Sequence, residues 1–134
     1  MLLSAWVLIA HLIGDYVLQS HVMALKKTQD GLWALLHATL YGTPYAALLG
    51  YYAGTTWISF AMLLILVLTH AVIDRYRLAV SWCRWYGVGF PGFWMEARHF
   101  QKPPPELATW LPILVDNTLH LTINTACIAV ALYG

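Results

Sequence analysis

The sequence predicts an all-α protein: an integral membrane four-helix bundle that forms a single domain over residues 1–134. The main observation is composition, since 60% of the residues are hydrophobic and only 10% are charged, against about 25% in an ordinary soluble domain. A second observation is the abundance of Trp (seven) and Tyr (eight), which favour membrane interfaces. The net charge of +1 gives no reason to expect nucleic acid as a partner.

Four stretches of the chain are long and apolar enough to cross a bilayer as helices, which takes about 20 residues each. The predicted spans are residues 2–20, 31–52, 56–80 and 108–133. The second span follows the turn signal Asp30-Gly31, and the fourth follows a run of three prolines that ends at Pro105. Residues 81–107 mix basic and aromatic side chains, which is typical of the headgroup region. We therefore predict a cytoplasmic interfacial loop there, either a simple connection between two helices or a lid or lipid-headgroup site over the cytoplasmic end.

Four spans would place all seven Lys and Arg residues on one side of the membrane, either in the two connections there or at the end of the third span. Lys26 and Lys27 lie between the first two spans. The other five lie at the end of the third span or before the fourth, namely Arg75, Arg77, Arg84, Arg98 and Lys102. Because cytoplasmic loops are enriched in Lys and Arg, the predicted topology is multi-pass with both termini outside the cytoplasm.

Three of the predicted spans carry a histidine and an aspartate four residues apart. The pairs are His11 with Asp15, His70 with Asp74, and Asp116 with His120, the last in reversed order. Residues four apart lie on one face of a helix. The fourth span runs opposite to the first and third, so the reversal puts every aspartate nearer the cytoplasm and every histidine deeper. With His37 from the second span, the groups are predicted to form two adjacent layers.

A divalent transition metal would explain this cluster. Ionisable groups cost several kcal/mol each inside a bilayer unless they face the bundle and find partners. Imidazoles and carboxylates are the usual ligands of zinc, manganese and iron. We therefore predict one or two ions, zinc first, bound by seven ligands: His11, Asp15, His37, His70, Asp74, Asp116 and His120. An aspartate that is not bound to metal (Asp15, Asp74 or Asp116) would be the catalytic base that activates water.

Neighbouring polar residues are candidates to complete the site. Gln19 and Asn124 each lie four residues from a proposed ligand, and Tyr41 is a secondary candidate. Two other interpretations of the cluster stay open. One is a metal-ion or proton transporter or switch, although the sequence shows no polar track toward the outer face. The other is a structural accessory protein in which His–Asp hydrogen bonds clamp the helices without metal.

The same residues resemble the motifs of a family of small bacterial and phage membrane proteins known as domain of unknown function 3307. The resemblance covers nearly the whole chain and rests on residues 11–19, 23–24, 27, 36–38, 70–74 and 116–120. The family usually has Gln at the position of Asn117 and often Phe at that of Tyr16, and neither residue is a proposed ligand. The resemblance implies a small protein of the bacterial inner membrane.

The motif set also looks, more loosely, like that of membrane-bound metal-dependent hydrolases. This likeness favours hydrolysis of a lipid or lipid-linked phosphate or ester, presented from the cytoplasmic leaflet. Membrane lipids are the expected partners. A second copy of the chain is another, because Gly50-x-x-x-Gly54 is a spacing that lets helices pack closely.

Overall fold

The computed structural model describes residues 2–86 and 105–134, and the regular structure of these residues is all helical, which confirms the predicted all-α class. The elements in chain order are α1 (Leu2–Leu12), a π-helical segment (Ile13–Val17), α2 (His21–Lys26), α3 (Gly31–Tyr52), α4 (Trp57–Tyr76), α5 (Leu78–Tyr86) and α6 (Pro105–Tyr133). The chain divides into two compact units. Unit 1 comprises Met1–Tyr76 with His120–Gly134, and unit 2 comprises Arg77–Leu119.

The first predicted span is not one regular α-helix. α1 passes into the π-helical segment, which ends at Val17. Ser20 then starts α2, because its hydroxyl accepts a hydrogen bond from the amide of Met23. Within the π-helical segment, Gly14 packs so closely on Tyr41 that a Cβ at this position would collide with the ring. Short π-helical segments inside α-helices are frequent at functional sites.

α3 covers the same residues as the second predicted span and occupies a central position in unit 1. The Asp30 side chain caps its first turn by accepting a hydrogen bond from the amide of Leu32 at 2.7 Å. The helix packs against α1, the π-helical segment, α2 and α4. His37, Tyr41 and Tyr45, spaced four apart, lie on its buried face.

The third and fourth predicted spans differ from the observed helices at their ends. α4 stops at Tyr76 because Arg77 has a φ of 51°, a left-handed conformation that a helix of L-residues cannot continue. Residues 78–80, predicted as the end of the third span, therefore belong to α5. α6 begins at Pro105, three residues before the predicted start. Residues 87–104, most of the predicted interfacial loop, lie outside the described residues.

Unit 1 buries several polar side chains beside a small apolar core, and it exposes many large apolar ones. Its buried polar residues are His11, Asp15, His37, Ser59, His70, Asp74, His120 and Asn124. Large apolar residues such as Leu32, Trp57 and Phe60 are more than half exposed. By length and composition, α4 and residues Ala108–Tyr133 of α6 are each able to cross a membrane. Residues Leu3–Val17 form a shorter apolar helix.

Candidate metal centre

Four buried side chains converge inside unit 1, and we call them the inner four. They are Asp15 from the π-helical segment, His37 from α3, and His70 and Asp74 from α4. One ligand atom of each lies within 4.8 Å of those of the other three. His70 and Asp74 point the same way because they are one helical turn apart. The π-helical segment carries Asp15 inward, where its side chain meets that of His37.

The separations within the inner four are close to those between ligands of a single metal ion. His37 Nε2 lies 3.1 Å from His70 Nε2, 3.2 Å from Asp15 Oδ1 and 3.3 Å from Asp74 Oδ2. His70 Nε2 lies 3.1 Å from Asp74 Oδ2 and 3.5 Å from Asp15 Oδ1. Ligands at about 2.0–2.2 Å from a tetrahedral zinc ion are roughly 3.3–3.6 Å apart. Five of the six separations therefore approach the spacing that one ion requires.

Hydrogen bonds do not account for these contacts. A neutral imidazole nitrogen carries either one N–H or one lone pair, so His37 Nε2 cannot bond to all of its close neighbours. Asp74 Oδ2 is buried, and no described group is aligned for a hydrogen bond to it, although Lys27 Nζ lies 2.8 Å away and His70 Nε2 3.1 Å away. A cation between the inner four would satisfy all the converging lone pairs at once.

His11 and His120, predicted as ligands, lie just outside the inner four. The Nδ1 atoms of His120 and His70 are 3.2 Å apart, so one imidazole donates a hydrogen bond to the other. His120 Nε2 also lies 3.7 Å from Asp74 Oδ1. His11 Nδ1 lies 3.5 Å from Asp15 Oδ2 and hydrogen-bonds the Tyr41 hydroxyl at 2.8 Å. In known metal sites, residues at such positions orient the ligands.

A polar network continues from the centre along α3. Asn124 of α6 donates hydrogen bonds to the hydroxyls of Tyr41 and, at 2.8 Å, of Tyr45. The Tyr45 hydroxyl donates to the carbonyl of Val7 at 3.1 Å. Tyr41 and Asn124 were candidates from the sequence, and both belong to this network. Tyr45 was missed, although its spacing of four from Tyr41 would have indicated it.

Lys27 lies beside the inner four, although the sequence did not predict it there. Its position suggested only a basic cytoplasmic connection, yet its Nζ lies 2.8 Å from Asp74 Oδ2 and 3.2 Å from His37 Nε2. The signal that could have found it was its place among the family motifs, just after the first His–Asp pair. The next residue, Thr28, is held to the end of α4 because Arg75 donates to its carbonyl at 2.9 Å.

Two other candidates from the sequence, Gln19 and Asp116, are not members of the inner four. The side-chain oxygen of Gln19 is buried, and within residues 2–86 and 105–134 it has no hydrogen-bond partner. Asp116 lies on α6, one turn before His120, and belongs to unit 2. Its roles as metal ligand and base, and the second metal ion, stay predictions.

Comparison with known proteins identifies the family. A family model described as "Protein of unknown function (DUF3307)" matches residues 3–133. The chain belongs to the DUF3307 family. The match confirms the resemblance seen in the sequence, and it includes every residue of the inner four of this DUF3307 protein. No curated protein and no solved structure matches the chain, so no named relative supports the looser resemblance to hydrolases.

Proposed function

We propose that this DUF3307 protein is a membrane-embedded metal-binding protein in which the inner four hold one divalent ion, with zinc the first choice. The observation that carries the proposal is the convergence of two imidazole nitrogens and two carboxylate oxygens from three elements of the chain, with five separations between 3.1 and 3.5 Å. Nitrogen and oxygen donors in this number suit zinc, and also manganese or iron.

The membrane location is supported by where unit 1 places its polar groups. The histidines and aspartates inside its long helices are buried, whereas many of its large apolar side chains are exposed, as expected for a bundle surrounded by lipid. The proposed spans are α1 with the π-helical segment, α3, α4 and α6. Because these spans put every Lys and Arg on one side of the membrane, the proposed topology has both termini outside the cytoplasm and the centre in the cytoplasmic half.

The proposed activity is hydrolysis of a lipid or lipid-linked phosphate or ester. When bound, a divalent ion would supply Lewis acidity, which polarises such a group and makes water a better nucleophile. Asp15 and Asp74 would help to hold the ion, and whichever of these carboxylates is not engaged with it would accept the proton of the attacking water.

The Tyr41–Asn124–Tyr45 network favours one second candidate, a proton relay. It extends the polar groups along α3 for two turns beyond His37. However, it ends on the carbonyl of Val7, and the neighbouring buried residues Leu49 and Ile128 are apolar. Because a relay needs polar groups or water through the whole membrane, the metal-binding function is the better supported.

The test is elemental analysis of protein purified in detergent without chelator or metal-affinity tag. About one zinc or other transition-metal ion per chain is expected in the wild type, and a large loss is expected in His70→Ala, which removes a ligand from the inner four. His21→Ala is the matched control, because His21 is an exposed histidine of α2. A metal content near zero in the wild type, with melting unchanged by chelator, would refute the proposal. Hydrolysis would be tested separately with fluorogenic phosphate and carboxylic esters in mixed micelles.

A further inference from the structure

Lys27 contacts two of the four atoms to which the metal ion is assigned. Its Nζ lies 2.8 Å from Asp74 Oδ2, whereas the histidine nitrogens of the inner four lie 3.1 and 3.3 Å from the same oxygen. The same ammonium group lies 3.2 Å from His37 Nε2. Lys27 thus already forms the cationic contacts that a metal ion would form with these two residues.

These contacts cannot persist with a metal ion on the same atoms. His37 Nε2 has a single lone pair, which either accepts a hydrogen bond from the ammonium group or binds the ion. An ion about 2 Å from Asp74 Oδ2 would lie within roughly 5 Å of the present position of Lys27 Nζ. Positive charges this close repel strongly in a poorly polarisable interior.

Resting on the metal site proposed above, we propose that Lys27 is an internal competitor for the metal, whose ammonium group must leave Asp74 and His37 before the ion binds. Lys27 would then set the metal affinity of the centre. Only an ion whose binding to the inner four is more favourable than that of the ammonium group can displace it. The Lys27 side chain is 15% exposed, whereas that of Asp74 is 5% exposed. The ammonium group can therefore move away from Asp74 toward the surface of the protein.

The surroundings of Lys27 allow the side chain to move while the backbone stays. The Lys27 amide donates to the carbonyl of Met23 at 2.9 Å, and Arg75 holds the carbonyl of Thr28. The preceding Lys26 is a matched control, because its ammonium group lies 4.8 Å from the centre of the Trp33 ring. Metal binding should therefore change the environment of Lys27 and leave that of Lys26 unchanged.

The first test uses the wild-type protein in detergent, treated with chelator or loaded with zinc. Both samples are exposed briefly to N-hydroxysuccinimide acetate, and acetylation of each lysine is read by mass spectrometry. We expect several-fold faster acetylation of Lys27 in the zinc-loaded protein, with the rate at Lys26 unchanged. Protein that binds zinc while Lys27 reacts equally fast or more slowly would overturn the inference and leave the metal site intact.

The second test measures zinc affinity by competition with a chromogenic chelator in Lys27→Met and Lys27→Gln, with Lys26→Met as control. Removing a competitor that blocks most of the sites should tighten zinc binding by about tenfold or more. An affinity equal to or weaker than that of the wild type in both Lys27 variants would overturn the inference. Absence of zinc binding in every protein, wild type included, would instead refute the proposed function and the competition with it.

Discussion

The ring of Tyr41 stacks on the ring of His70, with centroids 3.7 Å apart and planes inclined by 16°. The hydroxyl of the same tyrosine hydrogen-bonds His11 and accepts from Asn124. Tyr41 is fully buried, so it has little freedom to rotate. One side chain of α3 thereby fixes the orientation of a proposed ligand from α4 and joins it to residues of α1 and α6.

Gly14→Ala should disturb this stack, because a Cβ at position 14 would collide with the Tyr41 ring. Overpacking of a well-packed interior typically costs about 1–3 kcal/mol of stability. We expect unfolding in detergent at lower temperature and weaker zinc binding. Gly50→Ala is the control, since a Cβ there would meet nothing within 4 Å and alanine favours a helix. Equal melting of the two variants would show that the close contact of Gly14 with Tyr41 does not constrain the fold.

Asn124→Leu should lower stability without emptying the metal centre. The change removes the donor that serves both the Tyr41 and Tyr45 hydroxyls, and a buried polar group left without its partner costs about 1–3 kcal/mol. Metal content should stay near that of the wild type, because Asn124 lies outside the inner four. Thr43→Val is the control, since the Thr43 hydroxyl is exposed and bonds only within its own helix. Loss of metal in Asn124→Leu would instead place this residue among the ligands.

His120→Ala should weaken zinc binding less than His70→Ala does. His120 supports His70 through the 3.2 Å contact between their Nδ1 atoms, and loss of such a supporting residue typically costs 10–100-fold in metal affinity. His70→Ala removes a ligand itself and should reduce binding below detection. Competition titrations of the two variants against the same chelator would rank them. The reverse ranking would make His120 a ligand and His70 its support.

The proposed topology predicts which positions are reached from each side of the membrane. Gln29→Cys and Lys102→Cys should react with a membrane-impermeant maleimide only after the cytoplasmic face is opened, and Thr55→Cys should react from outside. The reason is that the proposed spans put every Lys and Arg on one side of the membrane. The native cysteines are replaced by serine in this experiment. External labelling at position 102 would reverse the orientation.

Cys83 should react slowly with thiol reagents in the folded protein. It is fully buried in α5, and burial raises the pKa of its thiol, because the charged thiolate is poorly solvated there. A raised pKa means less thiolate at neutral pH, so alkylation should accelerate as the pH rises. Cys127 is also a free, buried thiol. Mass analysis after timed alkylation should therefore find two thiols that become fully reactive only on denaturation. Fast reaction of Cys83 at neutral pH would contradict its burial.

The burial of histidines and aspartates in one cluster could be predicted from the sequence, because it depends on local regularities. Composition and the lengths of the apolar stretches gave the helical class. The spacing of four in the His–Asp motifs put each pair on one helical face, and the structure buries both members of two of the pairs, His11 with Asp15 and His70 with Asp74. Those relationships depend only on the geometry of a single helix.

Contacts between elements were decided by the tertiary structure. The sequence treated seven residues as equivalent ligands, whereas packing brought Asp15, His37, His70 and Asp74 together and placed His11 and His120 behind them. The π-helical segment that carries Asp15 and the approach of Lys27 to Asp74 and His37 could not be read from residue spacing. The physical reason is that spacing fixes the face on which a side chain lies, but the rotation and depth of each packed helix fix which atoms meet.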